Sequence, residues 1–306
     1  MLKTRVLTAV LLLAVFLPAL FWLPQAYWAL LMALVAAVAA WEWGGLAGLQ
    51  ARGRLAFGAL VLGICAALHY SSPASSILFM MHDPMPGEAT FALLPYIEFT
   101  NVPVGLAYTF GMLALLLFWG LALPFWLWRR WRPGKVVLLG LGVFLICATW
   151  QAFVDWRKIS PWALLAVMGI AWVADISAYF AGRKFGGRKL APNISPGKTW
   201  AGVWGALAGV AVYSAVLGVL DNPLRDALPG QATEAALLLM FVFLALAALG
   251  ILGDLFESLL KRQAGVKDSG NVLPGHGGVL DRIDSLMAIL PCANALSLLF
   301  LIFFWR

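Results

Sequence analysis

Charge is what this sequence has least of. Asp, Glu, Lys and Arg make up 11% of its 306 residues, well under the roughly 25% usual in soluble domains. So little charge cannot cover a water-facing surface. That argues against a soluble domain, and with it against the exposed basic and aromatic patches of a nucleic-acid binder, so no nucleic acid is expected as a partner. Cysteine is equally sparse: Cys65, Cys147 and Cys292 each fall inside apolar stretches without metal-ligand spacing, so neither a disulfide framework nor a thiolate zinc site is expected. No Ser-His-Asp arrangement, internal repeat or low-complexity tract is evident. Lys3 and Arg5 precede an apolar run, but no small-x-small cleavage pattern follows, so the run reads as a retained segment rather than a signal peptide.

What the sequence has instead is long apolar runs, read as membrane helices at about 18 residues or more. Nine spans are marked, near Val6 to Leu23, Ala26 to Leu49, Leu55 to Tyr70, Val104 to Trp128, Val136 to Phe153, Trp162 to Phe180, Trp200 to Leu220, Ala235 to Leu260 and Ile283 to Trp305. The expected fold is all-α and polytopic, an integral membrane protein. Lys and Arg gather in cytoplasmic loops. Here every second loop is basic: Lys3 and Arg5, then Arg52 and Arg54, then "RRWRPGK" (Arg129 to Lys135), then the stretch after span six, then Lys261, Arg262 and Lys267. The stretch from Ser71 to Asn101 carries Asp83, Glu88 and Glu98 without Lys or Arg, which suits the outside. The N-terminus is therefore expected in the cytoplasm. Arg157 and Lys158 break the pattern, partly offset by Asp155. The net charge of +7 is the sum of those loops and suits anionic headgroups, with membrane lipids as partners.

Against that background "GVKDSGNVLPGHGGVLDRIDSL" (Gly265 to Leu286) stands out. Span eight enters it through "LGDLFESLLKR", and at about 100° per residue Asp254, Ser258 and Lys261 share one helix face. A carboxylate near the bilayer costs roughly 2.5 to 3.5 kcal/mol unless paired, so Asp254 needs a partner. A salt bridge to Lys261 on the same face would satisfy it without any function. Asp281 and Asp284, three apart in "DRID", are neighbours on a helix surface. Alone they read equally as first-turn residues that cap the helix and suit its dipole. Three carboxylates converging from two helix ends also fit Mg²⁺, which is commonly held by a few carboxylates and substrate phosphates.

The glycines of the intervening loop permit positive φ and close backbone approach, while Lys261, Arg262, Lys267 and His276 bring positive or donor groups, a combination suited to phosphate. An ordinary cytoplasmic loop with topology-setting lysines is the alternative. In span six Asp175, Tyr179 and Arg183 lie on roughly one face, and Asp175 reads equally as a buried acid satisfied by Tyr179 or the backbone. "GKT" at Gly197 to Thr199 ends like a Walker A loop, but Pro192 stands where that motif needs glycine, so only Lys198 is retained, as a phosphate ligand by charge.

"SLLKRQAGVKDSGNVLPGHGGVLDRIDS" (Ser258 to Ser285) resembles the signature of the phosphatidate cytidylyltransferase family, also called CDP-diglyceride synthases, with S-x-x-K-R, then K-D, then H-G-G-x-x-D-R-x-D. "ADISAYFAGRKFG" and "LAPNISPGKTWAG" resemble further family segments, so the likeness runs from about Trp172 to Ser285. Ala201 departs from it, where many members carry a polar residue. The resemblance implies a Mg²⁺-dependent nucleotidyltransferase, with a second cation as an option, that joins CTP and phosphatidic acid into CDP-diacylglycerol and pyrophosphate for phospholipid biosynthesis. By position in the motif, Asp254, Asp281 and Asp284 would bind metal. Lys198, Lys261, Arg262, Lys267 and Arg282 would hold phosphates. Ser258 and His276 would assist, although a membrane-helix serine more often bonds its own i−4 carbonyl. Residues 1–158 would form an N-terminal region of about five helices and residues 159–306 the catalytic region. The enzyme would sit in a bacterial inner membrane with its site facing the cytoplasm, and a homo-oligomer stays open. Two rivals remain: an enzyme of the same fold acting on another lipid phosphate or alcohol, and an anion transporter, which would place its site near the midplane between internal repeats.

Overall fold

The computed structural model describes residues 2–71, 78–79, 95–96, 102–220 and 232–304. Eleven helices follow in chain order: α1 (Leu2–Trp22), α2 (Gln25–Leu46), α3 (Ala51–Ser71), α4 (Val102–Leu117), α5 (Leu123–Arg129), α6 (Lys135–Ile159), α7 (Pro161–Phe185), α8 (Trp200–Val219), α9 (Ala232–Gln263), the short α10 (Leu280–Ile283) and α11 (Leu286–Phe304). Two small antiparallel pairs accompany them, β1 (Leu78–Phe79) with β2 (Pro95–Tyr96), and β3 (Lys189–Ala191) with β4 (Ser195–Thr199). Apart from β1 and β2, the acidic stretch expected on the outside lies beyond the described residues.

Each of the nine apolar spans marked in the sequence is largely helical where described, but span two leaves the helix after Leu46 and span nine is broken by a turn at Asp284 and Ser285. Among the described residues seven stretches are long and apolar enough to cross a membrane, and Thr8–Trp22 and Leu286–Leu299 are shorter apolar helices. Local chemistry sets several boundaries. Ser160 caps α7 by accepting from the Trp162 N–H at 3.2 Å with Pro161 next to it, and Thr199 caps α8 by accepting from the Gly202 N–H at 3.1 Å; both are N-cap residue types. Pro124 has no N–H to offer the preceding turn, and α4 passes into α5 through a widened π turn at Phe118–Ala122, a usual response to a missing rung.

The buried apolar side chains form one cluster that draws on α1 at Ala19 and on α11 at Leu298. In a membrane every polar group must find an internal partner, and tryptophan supplies several. The indole N–H groups of Trp28, Trp43 and Trp150 donate to the carbonyls of Phe153, Leu138 and Ala29 at 3.1, 2.8 and 2.9 Å, joining α2 to α6. Small residues bring α7 and α8 together: a Cβ on Gly205 would lie 2.2 Å from that of Ala181.

Polar contacts also sort the helix ends. Lys135 at the start of α6 donates to the Gly48 carbonyl at 3.3 Å, just beyond α2, and Gln263 at the end of α9 donates to the Trp131 carbonyl at 2.9 Å, just beyond α5. These ends share one side of the bundle, where the conspicuous polar loop lies. The 25 residues of α6 carry its other end about 37 Å away at 1.5 Å per residue. There Arg157, an exception to the alternating charge pattern, binds the carbonyls of Leu20 and Leu23 at the end of α1 and the Gln25 side chain at 2.6 Å. Its charge closes a helix corner, and topology alone would not have required it.

Candidate active site

Four segments meet around one cavity of about 690 Å³. Helix α7 supplies Asp175, Tyr179 and Arg183; the hairpin of β3 and β4 supplies Lys198; α9 supplies Asp254 and Lys261; and the turn around α10 supplies Asp281, Arg282 and Asp284. The hairpin was read from sequence as loop. Its register, Lys189 opposite Thr199 and Ala191 opposite Ser195, delivers Lys198 one residue before the cap of α8. The strand and its capped helix hold the lysine without a Walker-type loop.

Close backbone approach brings α9 to the chain entering α11. A Cβ on Gly253 would meet the Asp284 carbonyl oxygen at 2.7 Å, so the absent side chain lets Asp284 sit against the turn that carries Asp254. Asp254 is ion-paired with Lys198, not with Lys261, and accepts from the Ser258 hydroxyl at 3.3 Å. The same-face alternative left open by the sequence is thereby corrected: Lys261 reaches Glu257 and Asp281, each at 2.6 Å. Ser258, expected to assist at the site with its own i−4 carbonyl as the alternative partner, donates to the i−4 side chain of Asp254.

Asp281 is heavily engaged. One carboxylate oxygen accepts from Lys261, and the other accepts from the Ser269 and Gly278 N–H groups at 2.9 and 2.8 Å and from the Ser269 hydroxyl at 3.0 Å. Burial works to raise its pKa, but Lys261 and those N–H groups outweigh it and hold the carboxyl below its ordinary range. The N–H groups that Asp281 holds, those of Ser269 and Gly278, both precede α10, and α10 has no side-chain cap. Asp284 is the opposite case. Burial foremost, then the charge of Asp254, pushes it up to about 7, with the Ser285 N–H at 2.7 Å and Lys198 only partly offsetting. Two carboxylates thus crowd around one lysine. Asp175 faces the same cavity, and Arg183 donates to the Tyr179 hydroxyl at 3.0 Å.

Not every expected residue arrives here. Arg262 is exposed and donates to the Ile194 carbonyl at 3.4 Å, and Lys267 is exposed. Neither of them, nor His276, lines the cavity. The His276 backbone N–H instead bonds the Leu273 carbonyl at 2.9 Å within its own loop, and its side-chain Nδ1 is buried without a partner among the described residues. Two acids went unread in the sequence. Glu257, one turn before Lys261, was visible as an i, i+4 pair. Glu42 was visible as the lone acid of an apolar span, a functional signal in itself; its carboxylate accepts from the Val279 and Leu280 N–H groups at 3.0 and 2.8 Å.

A cavity that sets Lys198, Lys261 and Arg282 among clustered carboxylates suits polyanionic substrates. The cytidylyltransferase family model matches residues 3–300 of the chain. The chain belongs to the cytidylyltransferase family. Phosphatidate cytidylyltransferase of Pseudomonas aeruginosa is 38% identical over 299 residues, 97% of this chain and 97% of the relative. The protein of that name from Haemophilus influenzae is 34% identical over 309 residues, covering 95% and 96%, and that from Bacillus subtilis is 38% identical over 169 residues, covering 54% and 60%. With its apolar helices, this family member is an integral membrane nucleotidyltransferase.

Proposed function

We propose that this cytidylyltransferase joins CTP to phosphatidic acid, releasing pyrophosphate and forming CDP-diacylglycerol. The observation that carries the reading is the convergence of Asp254, Asp281, Asp284 and Lys198 from separate segments on one cavity. A phosphate oxygen of phosphatidic acid attacks the α-phosphorus of CTP as the bond to the leaving pyrophosphate breaks. A phosphomonoester has a second pKa near 6 and is largely ionised at neutral pH, so no strong general base is needed. The main obstacle is repulsion between two polyanions. Lys198, Lys261 and Arg282 offset it along the cavity wall, and the exposed Arg262 and Lys267 add positive charge outside the cavity. Ala174, Ala178, Val203, Ala206 and Ile251 form an apolar wall beside the charges, suited to the glycerol and proximal acyl carbons.

Mg²⁺ fits the donor set. Among the described residues no three His, Cys, Asp or Glu side chains form a ready-made ligand cage, but Mg²⁺ is usually held by one or two carboxylates plus substrate phosphates. Asp254 and Asp284 would hold it, with Asp281 alongside and Ser258 bracing Asp254. When bound, the ion supplies charge neutralisation at the attacking and leaving oxygens. In the same reading the chain crosses the membrane nine times with its N-terminus in the cytoplasm, and the cavity opens at the cytoplasmic face of a bacterial inner membrane. Residues 159–306 bear the reacting groups and residues 1–158 support them.

The test is liponucleotide formation by purified protein from radiolabelled CTP and phosphatidic acid, with Mg²⁺ present or chelated, beside a prenyl phosphate and a prenyl alcohol as competing acceptors. The reading requires Mg²⁺-dependent CDP-diacylglycerol and its loss in Asp281→Asn. Product with chelator present, or preference for another acceptor, would overturn it.

A further inference from the structure

We infer that Glu42, contributed by α2, is a positioning residue that sets the loop bearing Asp281 against Lys261. The inference rests on the cytidylyltransferase reading and extends the working site to the N-terminal half of the chain. Glu42 is completely buried, and none of the ion pairs among the described residues involves it. Its charge is met instead by the loop's hydrogen-bond donors. One oxygen accepts from the Val279 N–H at 3.0 Å, and the other from the Leu280 N–H at 2.8 Å and the Ser269 hydroxyl at 3.1 Å.

Three successive amides, those of Gly278, Val279 and Leu280, therefore point at two carboxylates, the first at Asp281 and the next two at Glu42. These are the residues immediately before Asp281, so a shift of Glu42 moves the peptide that carries it. Ser269 ties the two acids together. Its hydroxyl lies 3.1 Å from Glu42 and 3.0 Å from Asp281, while its own N–H donates to Asp281. One hydroxyl hydrogen cannot serve both acceptors at once, so the two carboxylates share it.

The glycines of the loop carry the imprint of this side chain. A Cβ on Gly270 would lie 2.5 Å from one Glu42 oxygen, and a Cβ on Gly278 would lie 2.4 Å from the other. The final glycine of "GHGG" is thus explained by the Ser269 hydroxyl, which lies closer still, together with an acid 236 positions earlier in the chain. Helix α2 is itself fixed. Trp43, the next residue, donates to the Leu138 carbonyl at 2.8 Å, and its ring takes space that a Cβ on Gly142 would enter at 2.4 Å. Glu42 is therefore a rigid reference, and the loop is oriented against it.

The test compares full-length wild type with Glu42→Gln and Ser269→Ala in detergent, by CDP-diacylglycerol kinetics and by amide hydrogen exchange. The glutamine keeps the shape but turns an NH₂ towards one loop donor. Loss of a hydrogen bond to a charged group predicts a fall in kcat of about 10- to 100-fold. KM for CTP should change less than kcat, and exchange at Val279 and Leu280 should quicken while α2 and α6 stay protected. Ser269→Ala should lower kcat less, and the two effects should not add, because they act on one link. Unchanged kcat in Glu42→Gln overturns the inference, as does lost activity with unchanged exchange at Val279 and Leu280. If Glu42→Gln does not fold, wild-type kcat in Ser269→Ala overturns it. An inactive wild type would instead count against the cytidylyltransferase reading, and the exchange measurement, which needs no turnover, would still decide whether Glu42 holds the loop.

Discussion

The two ends of this bundle use the same residue types to opposite purposes. At the far end of α6, Asp155 is buried and accepts from Gln151 at 2.8 Å and Asn294 at 3.2 Å, with Lys158 at 3.9 Å, while Arg157 is spent on two carbonyls and Gln25. Those charges find their partners within the protein. Around the cavity, Asp254 and Asp284 crowd one lysine, and Asp175 and Arg282 face the same open space. A buried charge with a full set of partners is architecture; like charges held together beside an open volume mark a functional site. Glu42 complicates the contrast, because it is fully partnered and yet its partners belong to the working loop.

The contrast can be broken most sharply at Lys198. Lys198→Met removes the cation paired with Asp254 and should cut CDP-diacylglycerol formation by about 100-fold or more, the scale of a lost electrostatic contact to a transferring phosphoryl group. Detergent Tm should barely move. Arg157→Met should do the reverse, retaining activity within a few-fold while costing about 1–3 kcal/mol for each acceptor left unsatisfied, read as a lower Tm. If Arg157→Met abolished turnover in a folded protein, the two ends would not be separable in this way. Asp155→Asn sharpens the same point with a smaller effect, since an amide can still meet Gln151 and Asn294: a modest drop in Tm and near-normal kcat are expected.

The smallest effect concerns pH. The fold raises Asp284 from 3.8 to about 7, so it favours the protonated form. The corresponding stability is fully present below pH 4 and is lost as pH rises through about 7. A divalent ion beside the ionised carboxylates should offset that loss. Mg²⁺ should therefore raise Tm more at pH 8 than at pH 6, and equal gains at both would contradict the assignment of Asp284.

Much of this was legible in the chain. Hydropathy marked the helices, because long apolar runs have few other uses, and the polar stretch from Gly265 to Leu286 marked the site. What escaped was partnership across elements. Helical spacing placed Lys261 on the face of Asp254, but the short approach permitted by Gly253 and the hairpin carrying Lys198 decided the pairing otherwise. Arg262, Lys267 and His276 have the right chemistry in the right segment, yet their side chains leave the cavity, a matter of local loop geometry that composition cannot convey. Glu42 and its glycine counterparts are more than 200 residues apart in the chain, and only the packed helices bring them together.

The central claim is that the carboxylates gathered from α9 and the start of α11 hold the cation that lets two polyanions react. Its most direct test is a Mg²⁺ titration of CDP-diacylglycerol synthesis by Asp254→Asn beside wild type. A turnover loss of about 100-fold or more with a raised Mg²⁺ requirement is predicted, the scale of several kcal/mol of lost metal assistance. Wild-type turnover at wild-type Mg²⁺ would contradict it.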